Sequence, residues 1–387
     1  MKKDTTPKML DELNSCILPG CDEGGGTGSG TNVEEKLHNL EHLLGEIETG
    51  WKQGLSLCND ILSVDETHQG ALRMRHQLTM TFFPEWHIPM MQDEVRNIAF
   101  RRALQSINWK GKTVLEIGTG AGLLAMLIAK SGAEHVFTCE SNTVLADAAV
   151  GIIRDNELED KITVISKKSS EIKVGRDLPH LADVLVTETL GSDFLNESIL
   201  SILDDARDRL LSPGALVLPG RVRLYGCLIS SPQLRNSKTV EGFGGIDLTG
   251  FNRFAHYRNF QLFDACNTCY DTVSSSELLL EADLTTGQVE TDSTVNFKVT
   301  ENGHCDGIMY WMSVDVDDKN TFSNSPLGDP ESRTHWRQCV FLFENKVKLE
   351  TGRNCSVDVL SGKEFLRFID FTACAKSKLE KRRVVSS

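Results

Sequence analysis

A strand that runs into a glycine turn leaves this chain few folds to choose from. The segment reads Val114-Leu115-Glu116-Ile117-Gly118-Thr119-Gly120-Ala121-Gly122-Leu123-Leu124. A short apolar strand ends at Ile117, three closely spaced glycines follow, and a helix-forming run begins at Leu123. Glycine lets a backbone bend sharply and approach a ligand with no Cβ in the way. In open parallel sheets, ligands sit beyond the carboxyl ends of such strands. A dinucleotide fingerprint would read G-x-G-x-x-G. Here the third glycine comes one residue early, and Leu123 stands where that fingerprint needs glycine. Glu116 lies two residues before the first glycine. A carboxylate aimed at the turn would repel a pyrophosphate but can serve a cationic amino-acid moiety. S-adenosyl-L-methionine carries an ammonium and a sulfonium, so the pattern favours that cofactor over NAD. Glu140 closes the next strand, where a carboxylate can accept both ribose hydroxyls. Taken alone, it is more often a plain strand-end acid. After Glu116 and three spaced glycines, the ribose role is the better reading.

The residues around the turn alternate strand and helix. Strand signals cover Thr113–Ile117, His135–Glu140, Ile162–Ser166, Val184–Thr187 and Ala215–Leu218. Helix signals cover Leu123–Lys130, Thr143–Asn156 and Ser198–Leu211. That order predicts an α/β, doubly wound Rossmann-like domain over residues 81–220. Residues 221–387 change character. Alternating segments at Arg221–Ile229, Ser293–Val299, Gly307–Val316, Cys339–Phe343 and Ser356–Leu360 predict an antiparallel β-barrel domain, with 232–275 as an excursion from it. Upstream, residues 1–33 read as a disordered Gly-rich tail. Residues 34–80 read as a small helical segment resembling a tetratricopeptide repeat. About one repeat is visible where stable arrays need roughly three or more, so a helical cap is an equal reading.

Composition removes several classes. No apolar run approaches the roughly 20 residues that span a bilayer, so no membrane partner is expected. The net charge of −14 argues against direct nucleic-acid binding. Two lysines open the chain without an apolar segment behind them, which is not a secretory signal. The 11 cysteines form no framework, so reduced thiols in the cytoplasm, with the nucleus as a second compartment, are expected. Cys266-x-x-Cys269 has no second pair at zinc spacing and is read as structural, so no metal is expected.

Five motifs in order resemble the protein arginine N-methyltransferase family over roughly residues 85–345. His87-Ile-Pro-Met90-Met-Gln-Asp93-Glu-Val-Arg96-Asn97 resembles its pre-cofactor helix. The glycine turn resembles its first motif. Val186-Thr187-Glu188 through Asp193 to Glu197 resembles its double-glutamate loop. Leu211-Ser-Pro213-Gly214-Ala215 with Pro219 resembles its crossover, and Thr334-His335-Trp336 its Thr-His-Trp loop. Asp147-Ala148-Ala149 and the Val-Thr-Glu loop opening resemble family types 7 and 9. Trp86-His87 and the repeat-like N-terminus favour type 9. Both of those types carry two tandem modules, and this chain has length for one.

The resemblance implies S-adenosyl-L-methionine as cofactor and assigns roles. Arg96 would pair with the cofactor carboxylate, a task that suits a guanidinium fork. His87 would lie against the cofactor, Gly118 and Gly120 would approach it by backbone, Glu140 would hold the ribose, and Glu171 would sit beside the adenine. Glu188 and Glu197 would receive a substrate guanidinium, each accepting two of its N–H groups. His335 with Asp93 would relay a proton or pin the loop. Family members that make asymmetric dimethylarginine show Glu-Trp-Met-Gly-Tyr where this chain has Glu-Thr-Leu-Gly-Ser-Asp. A monomethyl or symmetric dimethyl product is therefore implied, and Asp193 would read a basic residue near the target arginine or stand as an exposed loop acid. So are basic, arginine-containing protein substrates and a homodimer or pseudo-dimer through the 232–275 excursion. Two alternatives stay open: a methyltransferase of another substrate, and a catalytically silent binding module.

Overall fold

The computed structural model describes residues 55, 58–59, 61–82, 86–254, 261–265, 267–289, 292–329, 332–363 and 365–370. The glycine-rich tail and about half of the repeat-like segment lie outside these residues, as does Cys266. The described part of the N-terminal segment ends in helix α1, Gln69–Phe82. The six-residue helix α2, His87–Gln92, and helix α3, Glu94–Gln105, lead into the sheet. Asp93 separates them. It caps α3 by accepting the Arg96 amide at 2.9 Å, the role a short acid plays at a helix start. The buried face of α3 comes from Ala99, Phe100, Ala103 and Leu104, at helical spacing.

Five strands build the first sheet: β1 Val114–Ile117, β2 Val136–Glu140, β3 Ile162–Ser166, β4 Ala182–Thr187 and β5 Leu211–Leu218. Their order is β3-β2-β1-β4-β5, all parallel. Helices α4 Leu123–Lys130, α5 Thr143–Asp155 and α6 Ile199–Arg209 make the crossovers. The strand order reverses between β1 and β4, which opens a crevice at their carboxyl ends. Strand β1 is buried at every position, as a central parallel strand must be. This is the doubly wound sheet the glycine turn and the strand–helix alternation predict.

Two antiparallel sheets follow. The larger orders β12 Gln288–Val289, β11 Glu277–Asp283, β6 Arg221–Ser230, β14 Gly303–Asp315, β16 Gln338–Leu349 and β9 Gln261–Phe263, with β10 Asp271–Thr272 and β15 Thr321–Ser323 pairing at its side. The smaller joins β13 Ser293–Lys298, β17 Asn354–Ser361 and β18 Leu366–Asp370. Their inner faces share one core, in which Phe368 packs 5.2 Å from Tyr310 and 5.4 Å from Phe341 between ring centres. Strands β11 and β13 lie side by side without a hydrogen-bonded ladder among the described residues. The excursion after β6 holds a short helix α7, Pro232–Asn236, and a two-stranded hairpin of β7 Gly242–Phe243 and β8 Ile246–Asp247. Buried Arg235 anchors its base, donating to the carbonyls of Asp306 and Phe343 at 2.9 Å each.

The domains are joined beside the crevice. Phe100 of α3 meets Phe322 of β15 at 6.0 Å, and Trp336 stacks on Phe322 at 5.4 Å. Arg207 of α6 donates to the Leu284 carbonyl at 2.8 Å.

Candidate active site

The crevice is a cavity of about 1040 Å³. That is large for a single small-molecule site and leaves room for a nucleoside cofactor beside a second group. The glycine turn forms its floor. Gly118, Gly120 and Gly122 have φ of 90°, 51° and 81°, backbone that side-chain-bearing residues avoid. At Gly122 a Cβ would press on Ile153 of α5 at 3.2 Å, so the third glycine also lets helix and helix close up.

Behind the turn runs a chain of buried hydrogen bonds. Thr138 donates to Glu116 Oε2 at 2.6 Å, and the Thr119 and Thr138 hydroxyls meet at 2.6 Å. Glu116 is 1% exposed, and its Oε1 has no hydrogen-bond partner among the described residues. Burial pushes its carboxyl up to about 8, against the pull of the Thr138 hydroxyl and Arg96. A buried carboxylate oxygen without a donor is costly unless a ligand supplies one. Arg96 shows the complementary deficit: its Nε is buried without an acceptor. One open acceptor and one open donor on the same cavity wall match an ammonium and a carboxylate, the two ends of an amino acid. The residues present therefore fit S-adenosyl-L-methionine.

Glu140 occupies the carboxyl end of β2. Its Oε2 accepts Gly120 N at 3.0 Å and its Oε1 accepts Asn142 N at 2.9 Å. Each oxygen keeps a second lone pair, so two hydroxyls can still be received. His87 lines the same cavity, with Trp86 stacked on it at 3.9 Å. Glu171, given the adenine side by resemblance, is exposed and does not itself line the cavity. Its carboxylate turns back to accept Lys168 N at 3.1 Å, closing a short 3₁₀ turn. Lys168, Ser169 and Ser170 line the cavity instead. These three follow the carboxyl end of β3, and that position alone could have pointed to them.

The acceptor side is built from β4 and the loop behind it. Arg96 Nη2 donates to Glu188 Oε2 at 2.6 Å, both side chains 4% exposed. Glu197 lines the same cavity, and its carboxyl is pushed up to about 7 by burial, then by repulsion from Glu188 and Asp193. The loop between them is tightly wound. Phe194 and Ser198 hold φ of 57° and 58°, uncommon for residues with side chains. Asp193 accepts Leu195 N at 3.1 Å and Asn196 N at 2.9 Å. It is a buried turn-former, not an exposed loop acid or a reader of substrate charge. The Asn196 side chain fills the space over Gly191 that any Cβ would claim.

The Thr-His-Trp loop closes the site from the second domain. Asp93 Oδ2 accepts both the His335 amide at 2.7 Å and its Nδ1 at 2.8 Å. Burial works against the Asp93 carboxylate, but the His335 ring and the amides of Arg96 and His335 hold it below its usual range. Trp336 Nε1 donates to the Leu190 carbonyl at 2.9 Å, which ties this loop to the glutamate loop. Of the candidate catalytic and cofactor-binding residues, all but Asp93 and Glu171 line the cavity, and Asp93 holds His335 from behind. Among the described residues no group of His, Cys, Asp and Glu is placed to hold a metal.

A parallel sheet with this turn, an acidic loop across the crevice and a β domain closing it defines a methyltransferase of the nucleoside-cofactor class. Comparisons agree. Residues 101–223 match the model for "Ribosomal protein L11 methyltransferase (PrmA)", and residues 244–373 match the "Arginine methyltransferase oligomerization subdomain". The chain is 33% identical over 305 residues to an arginine N(omega)-methyltransferase of Streptomyces achromogenes subsp. streptozoticus, covering 78% of this chain and 81% of that protein. It is 30% identical to protein arginine N-methyltransferase 6 of Danio rerio, covering 67% and 77%. A type 7 enzyme of Oryza sativa subsp. indica is 28% identical over 67% of this chain, which spans only 41% of it. The fold also matches the Trypanosoma brucei PRMT1 enzyme–prozyme complex with AdoHcy, at a TM-score of 0.61 and 24% identity, covering 71% of this chain and 86% of that one. The chain belongs to the protein arginine N-methyltransferase family, whose members move a methyl group from S-adenosyl-L-methionine to an arginine nitrogen.

Proposed function

We propose that this chain methylates guanidinium nitrogens of arginine side chains in basic proteins, giving monomethyl or symmetric dimethyl product. The observation that carries this reading is the placement of Glu188 and Glu197 on the wall of the cavity that holds the glycine turn. When bound, the cofactor supplies an activated methyl on its sulfonium. The residues do the rest by binding and orientation, the main sources of rate when two held partners react. Glu188 and Glu197 accept the fork of N–H groups and localise its charge, so that one nitrogen keeps a more nucleophilic lone pair. Glu197 is partly protonated near neutral pH, and an arriving cation ionises it. Asp93 holds His335 through Nδ1, which leaves Nε2 as the ring position for proton exchange. Thr189 and Ser192 line the cavity where bulkier side chains stand in makers of asymmetric product, in keeping with the product proposed.

A homodimer formed through the 232–275 excursion completes the proposal, and its support is the oligomerization-subdomain match from residue 244 on and the exposure of Phe243, Ile246 and Phe251. A cytoplasmic or nuclear site of action goes with it. A second reading follows from the relative named arginine N(omega)-methyltransferase: free arginine as the acceptor. Offering labelled cofactor with arginine-rich peptides and, separately, with free arginine distinguishes the two. Glu197→Gln is expected to lower turnover on the true acceptor by at least about 10²-fold while cofactor binding survives. Undiminished turnover would overturn the assignment.

A further inference from the structure

Arg96 touches more than the cofactor side of the site. Its backbone amide is capped by Asp93, whose other oxygen holds His335. Its Nη1 donates to Asn97 Oδ1 at 2.7 Å, and Asn97 Nδ2 donates to the Met91 carbonyl of α2 at 2.9 Å. Its Nη2 donates to Glu188 at 2.6 Å, and its Nε is the buried donor with no acceptor. The face of Phe100 lies 5.5 Å from the guanidinium carbon, so the group is fixed in place rather than free to swing.

We propose that Arg96 couples the two halves of the site, so that cofactor carboxylate and acceptor guanidinium bind with positive cooperativity. The inference rests on the arginine-acceptor reading for its second ligand only. One guanidinium carries one positive charge. In a buried site, a second carboxylate at Nε draws part of that charge away from Glu188. Glu188 is left with more net negative charge to offer an incoming cation. The converse holds as well: a cation on Glu188 loosens its claim on Arg96 and strengthens the hold of Arg96 on the cofactor carboxylate. Linkage requires the two effects to be equal. Arg96 is thus a positioning residue for Glu188 as well as a cofactor ligand.

Calorimetry with three ligands tests this. The acceptor probe is acetyl-Gly-Arg-Gly-amide, titrated into the full chain alone, saturated with S-adenosylhomocysteine, or saturated with 5′-methylthioadenosine. The last compound has the nucleoside but no carboxylate. The proposal expects the peptide to bind at least about fivefold more tightly with S-adenosylhomocysteine than in either other condition. Equal tightening by both nucleosides would overturn it, because a merely structural Arg96 cannot tell them apart. A second arm needs no acceptor. Glu188→Gln removes the competing charge and is expected to tighten S-adenosylhomocysteine by about fivefold, with 5′-methylthioadenosine unchanged. Unchanged or weaker binding of S-adenosylhomocysteine would overturn the coupling. Should Glu188→Gln fail to fold, the wild-type arm still decides. If the peptide binds in no condition while Glu188→Gln tightens S-adenosylhomocysteine alone, the coupling at Arg96 stands and the arginine-acceptor reading falls.

Discussion

Glu116 is a buried acid of the site, and its titration has consequences outside catalysis. Burial raises its carboxyl from an ordinary value of 4.5 to about 8. Between those values the folded chain holds a proton that the unfolded chain has released. Its contribution to stability is therefore complete at low pH and is lost as pH rises toward about 8. Glu197 acts in the same direction up to about 7. The melting temperature without ligand is expected to fall between pH 6 and pH 8.5, and Glu116→Gln should flatten that slope; an unchanged slope contradicts the assignment. The ammonium of the cofactor favours the ionised acid. Cofactor binding at pH 7 should then release up to about one proton, read from binding heats in buffers of different ionisation enthalpy. The spacing of Glu116 from the glycines was enough to choose the cofactor type. Its missing partner and its Thr138–Thr119 support were not legible, because they depend on strand β2 lying beside β1.

Two loops set the geometry at the next scale, and both are over-determined. Asp93 gathers three donors, so Asp93→Ala removes a helix cap and frees His335 together. A loss of roughly 1–2 kcal/mol in stability is expected from the cap alone, visible as a lowered denaturation midpoint, with turnover falling further than stability explains. Gly191→Ala would drive a Cβ into the Asn196 side chain. The loop must shift, so turnover should drop at least about tenfold while cofactor affinity, measured by titration, holds; equal activity would show that the loop tolerates movement. Sequence placed Glu188 and Glu197 on one loop correctly. It misread Asp193, whose three-residue turn back to Asn196 is a backbone fact that an acidic side chain in a polar stretch does not announce. Glu171 caps its own short turn through the Lys168 amide, a local hydrogen bond that residue type alone does not announce.

The whole chain divides as its periodicities do. Strand–helix alternation made the parallel sheet readable, since each buried strand shows as a short apolar run ending in a turn. The β domain was readable in part. Strands β6, β13, β14, β16 and β17 coincide with segments read as strands, and the alternation is plainest in β13 and β17. Strand β11, with three successive leucines, carries no alternating signature, and its pairing with β6 is irregular between Leu278 and Leu280. The excursion after β6 exposes Phe243 at 85% and Phe251 at 67%, more apolar surface than a hairpin alone explains. If it joins two copies, Phe243→Ser with Phe251→Ser should halve the mass measured by light scattering, whereas an unchanged mass would place the interface elsewhere. The central claim is narrower: two glutamates on the wall of a cofactor cavity accept a guanidinium. Mass spectrometry of arginine-rich peptides and of free arginine, after incubation with isotope-labelled S-adenosyl-L-methionine, tests it most directly. The account predicts label on guanidino nitrogen that vanishes in Glu197→Gln. Label on any other atom, or none from a chain that binds the cofactor, would contradict it.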